Sequence, residues 1–259
     1  MSTTPDVPRP GDTAAARGLV VAVDGPSGSG KSSTSRGVAT RLGLAYLDTG
    51  AMYRAMTWWV LQQGVDVHDP AAVASRVDEP VISSGTDPAA PTIAVDGTDV
   101  GAEVRSEPVT RAVSPVSAVP EVRARLLRLQ RQVIAEACAG PAGGIVVEGR
   151  DIGSTVAPDA AVKVYLTADA EARALRRAAE EGGSDVAVTQ QILEARDRID
   201  SGRAVSPLAM AEGAVHLDTT AHTLAEVVDQ VVALVERAQQ EEQDPQQAGD
   251  RAQDAGPQA

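Results

Sequence analysis

The 259-residue chain is short of several residue types at once: one cysteine, three histidines, no phenylalanine and only two lysines. A single thiol, Cys138, excludes an internal disulfide framework, and three scattered imidazoles argue against a zinc site. No apolar run reaches the roughly 18 residues of a membrane-spanning helix. The N-terminal stretch MSTTPDVPRPGDT has no apolar signal core. Positive charge is also scarce: 23 basic residues against 36 acidic ones leave a net −13. That sign speaks against a general nucleic-acid binder, because affinity for a phosphate backbone needs a basic face. What remains is a cytoplasmic protein with no nucleic-acid or membrane partner.

The composition that is present, 43% hydrophobic and 23% charged, is that of an ordinary globular chain. Its length suits one domain with an insertion, or two small domains. Residues 1–18 are rich in Pro, Ser, Thr and Ala without an apolar period, and read as a flexible arm. Residues 239–259 read as a disordered acidic tail. Between them, apolar runs at 19–23, 44–47, 145–147, 161–166 and 214–217 alternate with helical patterns at 31–42, 50–63, 170–181, 188–199 and 224–238. Strands alternating with helices predict an α/β fold with a mostly parallel central sheet. Residues 66–114 break the rhythm with Pro80, Pro88, Pro91 and Pro108 and an Asp96-Gly97 hairpin signal inside 92–100. They read as a small antiparallel β insertion, followed by a helix that Pro120 opens.

Gly25-Pro26-Ser27-Gly28-Ser29-Gly30-Lys31-Ser32 follows the first strand and opens the first helix. This is the phosphate-loop spacing, glycine, four residues, then Gly-Lys-Ser/Thr. Its glycines let consecutive N–H groups turn inward around phosphate oxygens, and the helix adds the positive end of its dipole. Lys31 is placed to reach the β- and γ-phosphates, the Ser32 hydroxyl to ligate Mg²⁺, and Ser33 completes the cradle. A chance Gly/Ser turn is the competing account. Against it stand the strand–loop–helix context and the use of one of only two lysines. The loop implies that ATP is bound.

A GTPase switch needs Asn-Lys-x-Asp, and neither Lys31 nor Lys163 can supply it. A large motor needs more chain. A small kinase remains, and the arginines support it. Arg54 follows Asp48 and Thr49, and Arg150-Asp151 follows the strand at 145–147, both at carboxyl ends where open α/β sheets bind ligands. Arg196, Asp200 and Arg203 share a helix face if that helix persists, though a solvated ion-pair ladder has the same spacing. Cations in these places suit phosphoryl transfer.

Four stretches, Val23-Asp24-Gly25-Pro26-Ser27-Gly28-Ser29-Gly30-Lys31, Leu47-Asp48-Thr49-Gly50-Ala51-Met52-Tyr53-Arg54, Glu148-Gly149-Arg150-Asp151 and Arg203-Ala204-Val205-Ser206-Pro207-Leu208, closely resemble the bacterial cytidylate kinase family. The resemblance covers about residues 19–238, with the CMP-binding insertion at about 64–115 and a helical lid at about 182–206. It implies that Thr49, Arg54, Arg150 and Arg203 hold the acceptor phosphate and that Arg196 and Asp200 take the ribose hydroxyls. It implies that Ser114, Arg123 and Asp151 read the cytosine edge, and that Lys31, Arg150, Arg196 and Arg203 are the catalytic cations. Read alone, Asp151 could be a helix cap, Ser114 a turn residue and Arg123 one of several exposed arginines. Thr49 stands where serine is common, and Glu148 where aspartate is frequent. Ile199 and Ser201 occupy lid positions that are basic in some relatives, a loss for which Arg173, Arg176 and Arg177 are candidate replacements.

The expected activity is transfer of the γ-phosphoryl group of ATP to CMP or dCMP, with Mg²⁺, by a monomer. A UMP or AMP kinase and an inactive nucleotide-binding regulator are the alternatives.

Overall fold

The structure, a computed structural model, describes residues 18–180, 183, 185–202 and 208–243. The chain runs β1 (Leu19–Asp24), α1 (Lys31–Leu42), β2 (Ala45–Asp48), α2 (Thr49–Gln62), α3 (Pro70–Ser75), β3 (Ile82–Ser84), β4 (Ile93–Val95) and β5 (Thr98–Asp99). It continues through α4 (Glu107–Ala118), α5 (Pro120–Ala139), β6 (Gly144–Gly149), β7 (Val162–Thr167), α6 (Ala170–Glu180), α7 (Val186–Ser201), β8 (Val215–Asp218) and α8 (Leu224–Gln243). A single π-turn, Ile152–Val156, follows β6. No helix among the described residues is long and apolar enough to cross a membrane.

The main sheet has the order β2-β6-β1-β7-β8, and every pair in it is parallel. Side chains on a strand point alternately to opposite faces, and each face has its own core. Ala22 of β1 with Ile145 and Val147 of β6 face α2, α5 and the insertion. Val21 and Val23, with Val146, face α1 and α8. Both faces are covered, as parallel sheets require. The mostly parallel α/β expectation is met.

The last helix runs to Gln243 rather than stopping at 238. Gln239, Gln240, Glu241 and Glu242 are good helix formers with nothing to stop them. The insertion differs more. Three short antiparallel strands form as expected, in the order β3-β4-β5, but residues 107–118 are helical. Val109, Ala112, Val113 and Val116 recur at helical spacing, all buried. Pro108 fits the first turn, and Pro115 lies inside the helix. Ser114 is therefore on a helix and not in a turn.

The β4–β5 turn uses Asp96 at φ 52°, the left-handed region in which a non-glycine residue is uncommon. The Asp96 carboxylate also accepts the Val81 N–H at 2.8 Å, tying the turn to β3. Asp96→Ala loses that acceptor and a side chain that tolerates left-handed backbone. It is expected to cost about 1–3 kcal/mol of stability, read from urea unfolding. An unchanged midpoint would show that the insertion does not depend on this turn.

Candidate active site

The carboxyl ends of β1, β2 and β6 open onto one cleft. Ser27, Gly28, Gly30, Lys31, Ser32 and Ser33 line one wall, and Thr49, Arg54, Ser114, Arg123, Arg150 and Asp151 line the rest. Twelve of the residues singled out in the sequence thus share a single cavity. Gly25, Pro26 and Ser29 complete the loop behind it. Gly25 sits at φ 147°, and a Cβ there would lie 2.1 Å from the Leu166 carbonyl, so the bend from β1 into the loop needs glycine. Ser29 fixes the loop by donating from Oγ to the Pro26 carbonyl at 3.0 Å. The first N–H groups of α1 have no intrahelical acceptor and face this loop.

Lys31 Nζ donates to the Pro26 carbonyl at 2.6 Å, and Arg150 Nη1 to the Gly25 carbonyl at 2.7 Å. Both cations are thereby held at the loop's edge. Burial lowers the Lys31 pKa, and the Arg150 charge lowers it further, against the pull of Glu148, Asp24 and Asp197. Glu148, 3% exposed, accepts from Ser32 Oγ at 3.0 Å and from the Tyr46 hydroxyl. Its length lets it reach both. Asp48 lies directly beside it in the β2–β6 register.

Across the cleft from the loop, Arg123 Nη2 and Asp151 Oδ2 form an ion pair at 2.7 Å, with both side chains about nine-tenths buried. Arg123 Nη1 reaches the Ser117 carbonyl at 3.4 Å, and its guanidinium lies 5.5 Å from the centre of the Tyr53 ring. Its Nε has no partner among the described residues. Asp151 flanks the π-turn without capping it. Arg54 donates to the Val104 carbonyl at 3.2 Å and to Thr110 Oγ1 at 3.0 Å. Thr49 Oγ1 donates to the Glu148 carbonyl at 2.7 Å. Its only hydroxyl proton is thereby committed, and a phosphate contact from that oxygen needs the proton to turn away.

A cytidylate kinase family model matches residues 21–237. The chain is 56% identical over 236 residues to the cytidylate kinase of Streptomyces griseus, covering 91% of this chain and 97% of that protein. It is 58% identical to that of Streptomyces coelicolor, over 84% of this chain and 93% of the relative. The Corynebacterium diphtheriae cytidylate kinase is 47% identical, over 85% and 96%. The chain belongs to the cytidylate kinase family. As a member it is an ATP-dependent kinase of nucleoside monophosphates.

Three residues expected in the cytidylate kinase lid are not placed. Arg203 lies outside the described residues, as do the side chains of Arg196 and Asp200, although their backbone belongs to α7. The candidate replacements divide. Arg176 is bound to the Thr219 carbonyl and hydroxyl. Arg173 bridges the Ser27 carbonyl, at 3.1 Å, to the Asp197 carboxylate. Arg177 alone of the three lines the cleft. Sequence reasoning treated Glu148 only as a departure and gave Tyr46, Asp48 and Tyr53 no role in the site. Asp48 and Glu148 both end apolar strands, a signal that two carboxylates meet at the sheet edge.

Glu148 has a measurable consequence. Burial pushes its pKa up, with Asp48 adding to the rise and Lys31, Tyr46 and Ser32 opposing it. From its ordinary 4.5 up to neutrality, the folded protein then holds this proton more tightly than the unfolded chain does. The stability contribution is full below that window and lost as pH rises through it. Glu148→Gln is expected to raise Tm above the wild type at neutral pH, with the two converging near about pH 4. A Tm difference independent of pH would contradict the burial of this charge.

Proposed function

We infer that the protein transfers the γ-phosphoryl group of ATP to CMP or dCMP, giving ADP and CDP or dCDP. The buried Arg123–Asp151 pair carries this reading, because it stands with Ser114 across the cleft from the phosphate loop. Cytosine offers an N4 amino donor beside an N3 acceptor. A carboxylate accepts from the first and an arginine donates to the second, whereas uracil has the opposite polarity at both atoms. The orphaned Arg123 Nε adds a donor that nothing in the described protein uses. A UMP or AMP kinase lacks a use for this pair, and an inactive regulator lacks a use for the cations around it.

The chain's own groups position and neutralise. The loop N–H groups and Lys31 hold the β- and γ-phosphates of ATP, and Arg54, Arg150 and Thr49 hold the acceptor phosphate. Arg196, Asp200 and Arg203 are assigned to the ribose and to the transferring phosphoryl group from the lid. With its second pKa near about 6, the CMP phosphate is largely a dianion and needs no general base. One of its oxygens attacks the γ-phosphorus in line as the bond to the β,γ-bridging oxygen breaks, and ADP leaves. Ser32 Oγ and the Glu148 carboxylate, 3.0 Å apart, are the hard oxygen donors that Mg²⁺ takes alongside phosphate oxygens and water. Together they would hold Mg²⁺, which would supply positive charge to offset that of the donor phosphates. The kinase unit is assigned to residues 19–243, with the insertion over about 64–115 and the lid over about 182–206, acting as a cytoplasmic monomer.

ADP release measured with a panel of nucleoside monophosphates tests the reading, and a preference for UMP or AMP would overturn it. Lys31→Ala removes a charge-assisted contact to the donor phosphates. It is expected to lower kcat by about 10²–10³-fold, the effect of losing one preorganised donor. Near-normal turnover in the folded variant would remove the loop from the mechanism.

Base reading has its own test. Each well-made polar pair discriminates by about 1–3 kcal/mol, so the CMP/UMP ratio of kcat/KM is expected to be about 10² or more. Asp151→Asn supplies an amide that can donate to O4 of uracil, so CMP turnover should fall much further than UMP turnover. A ratio unchanged by the substitution would move the cytosine contact elsewhere.

A further inference from the structure

Asp24 ends β1 and immediately precedes the phosphate loop, and none of the roles above uses it. It is 3% exposed. Oδ1 accepts the Ile152 N–H and Oδ2 accepts the Gly153 N–H, both at 2.8 Å. Both donors are buried in the π-turn. The parallel register sets Asp24 beside Gly149, so the chain leaving β6 through Arg150 and Asp151 must pass the end of β1 to enter that turn. Asp24 receives it there. Arg150 then meets the carbonyl of Gly25, the residue after Asp24, and Asp151 meets Arg123.

The clamp needs a carboxylate. Each oxygen takes one N–H, whereas an amide offers a single oxygen acceptor and would set its own N–H donors against the second backbone N–H. Holding a charge at this depth opposes solvation. Burial pushes the Asp24 pKa up to about 6, with Asp151 adding to the rise, against the two backbone N–H groups and Lys31. A fold that only needed to close the turn could do so without an ionised group.

We propose that Asp24 is the positioning residue that sets Arg150 and Asp151 against the donor phosphate loop, acting through the backbone of Ile152 and Gly153. The proposal rests on the assignment of Arg150 and Asp151 to the acceptor nucleotide. Rotation of the 151–152 link would swing both side chains relative to Lys31 while leaving the loop's own glycines and N–H groups in place.

Asp24→Asn in the full chain separates positioning from simple structural support. The expected result is unchanged binding of a non-hydrolysable ATP analogue and a Tm that does not fall. With them should come a loss of about 10²-fold in kcat/KM for CMP, the scale of a misplacement of about 1 Å, and a lowered CMP/UMP ratio. Undiminished kcat/KM for CMP would overturn the proposal. So would parallel losses of ATP affinity, CMP turnover and Tm, the signature of a merely structural role.

Should the variant fail to fold, amide exchange in the wild type decides. Among the described residues, the charged and titratable groups facing Asp24 are Lys31 from α1, Asp151 from the turn after β6 and Tyr165 from β7. Ile152 and Gly153, whose N–H groups both donate to the buried Asp24 carboxylate, are expected to be strongly protected at neutral pH. Rapid exchange of both at neutral pH would refute the clamp. If the wild type prefers another monophosphate, the CMP reading fails, but the comparison of ATP binding with acceptor turnover, made with that monophosphate, still tests Asp24.

Discussion

The parallel register of three strands decides where the charges go. β1, β6 and β2 end level with one another, which brings Asp24, Glu148 and Asp48 to one edge of the sheet. Carboxylates gathered at one edge repel, and burial adds a desolvation cost. The loops leaving those strands supply the compensation. Lys31 comes from the loop after β1, Arg150 from the turn after β6, and Arg54 from the helix after β2. Asp48 is drawn off to cap α2, accepting the Ala51 N–H at 3.0 Å. The cleft is thus built of alternating signs, and its cations stand where phosphate groups can join them.

Much of this was legible because each feature is local. The phosphate loop needs one glycine-rich stretch between a strand and a helix. The hairpin needs Asp96-Gly97 between alternating residues, and the sheet needs short apolar runs. Residues 107–118 misled because Pro108 was weighed as a break, while the helical spacing of Val109, Ala112, Val113 and Val116 went uncounted. Proline at a helix start is permitted, and the buried face of α4 outweighs the one inside it.

What the sequence hid is long-range. Nothing near Glu148 says that it meets Tyr46, 102 residues earlier, or Ser32, 116 residues earlier. Arg123 looked like one more surface arginine on a basic helix. It is 8% exposed, because the π-turn folds Asp151 back over α5. The turn itself has no sequence signature that periodicity could detect. Its first two N–H groups are accepted by Asp24 of β1, 128 residues before Ile152. The family resemblance named Arg123 and Asp151 without explaining why they meet; the crossing of the chain over β1 explains it.

Burial shifts two ionisable groups of the cleft and one behind it towards their neutral forms: Glu148 and Asp24 upward, Lys31 downward. The folded protein therefore carries a cost here that sequence-wide charge does not reveal. A nucleoside triphosphate with its cation brings charges of the signs that relieve it. On the function proposed above, phosphate oxygens beside Lys31 would favour the ammonium, and a divalent cation beside Glu148 would favour the carboxylate. Ligand binding would then raise one pKa and lower the other, so proton uptake at the lysine would oppose proton release at the glutamate. Binding energy is spent on ionising groups that folding alone disfavours. Lys31 and Glu148 would then carry their charges in the nucleotide complex, where charge stabilisation of the transfer is needed.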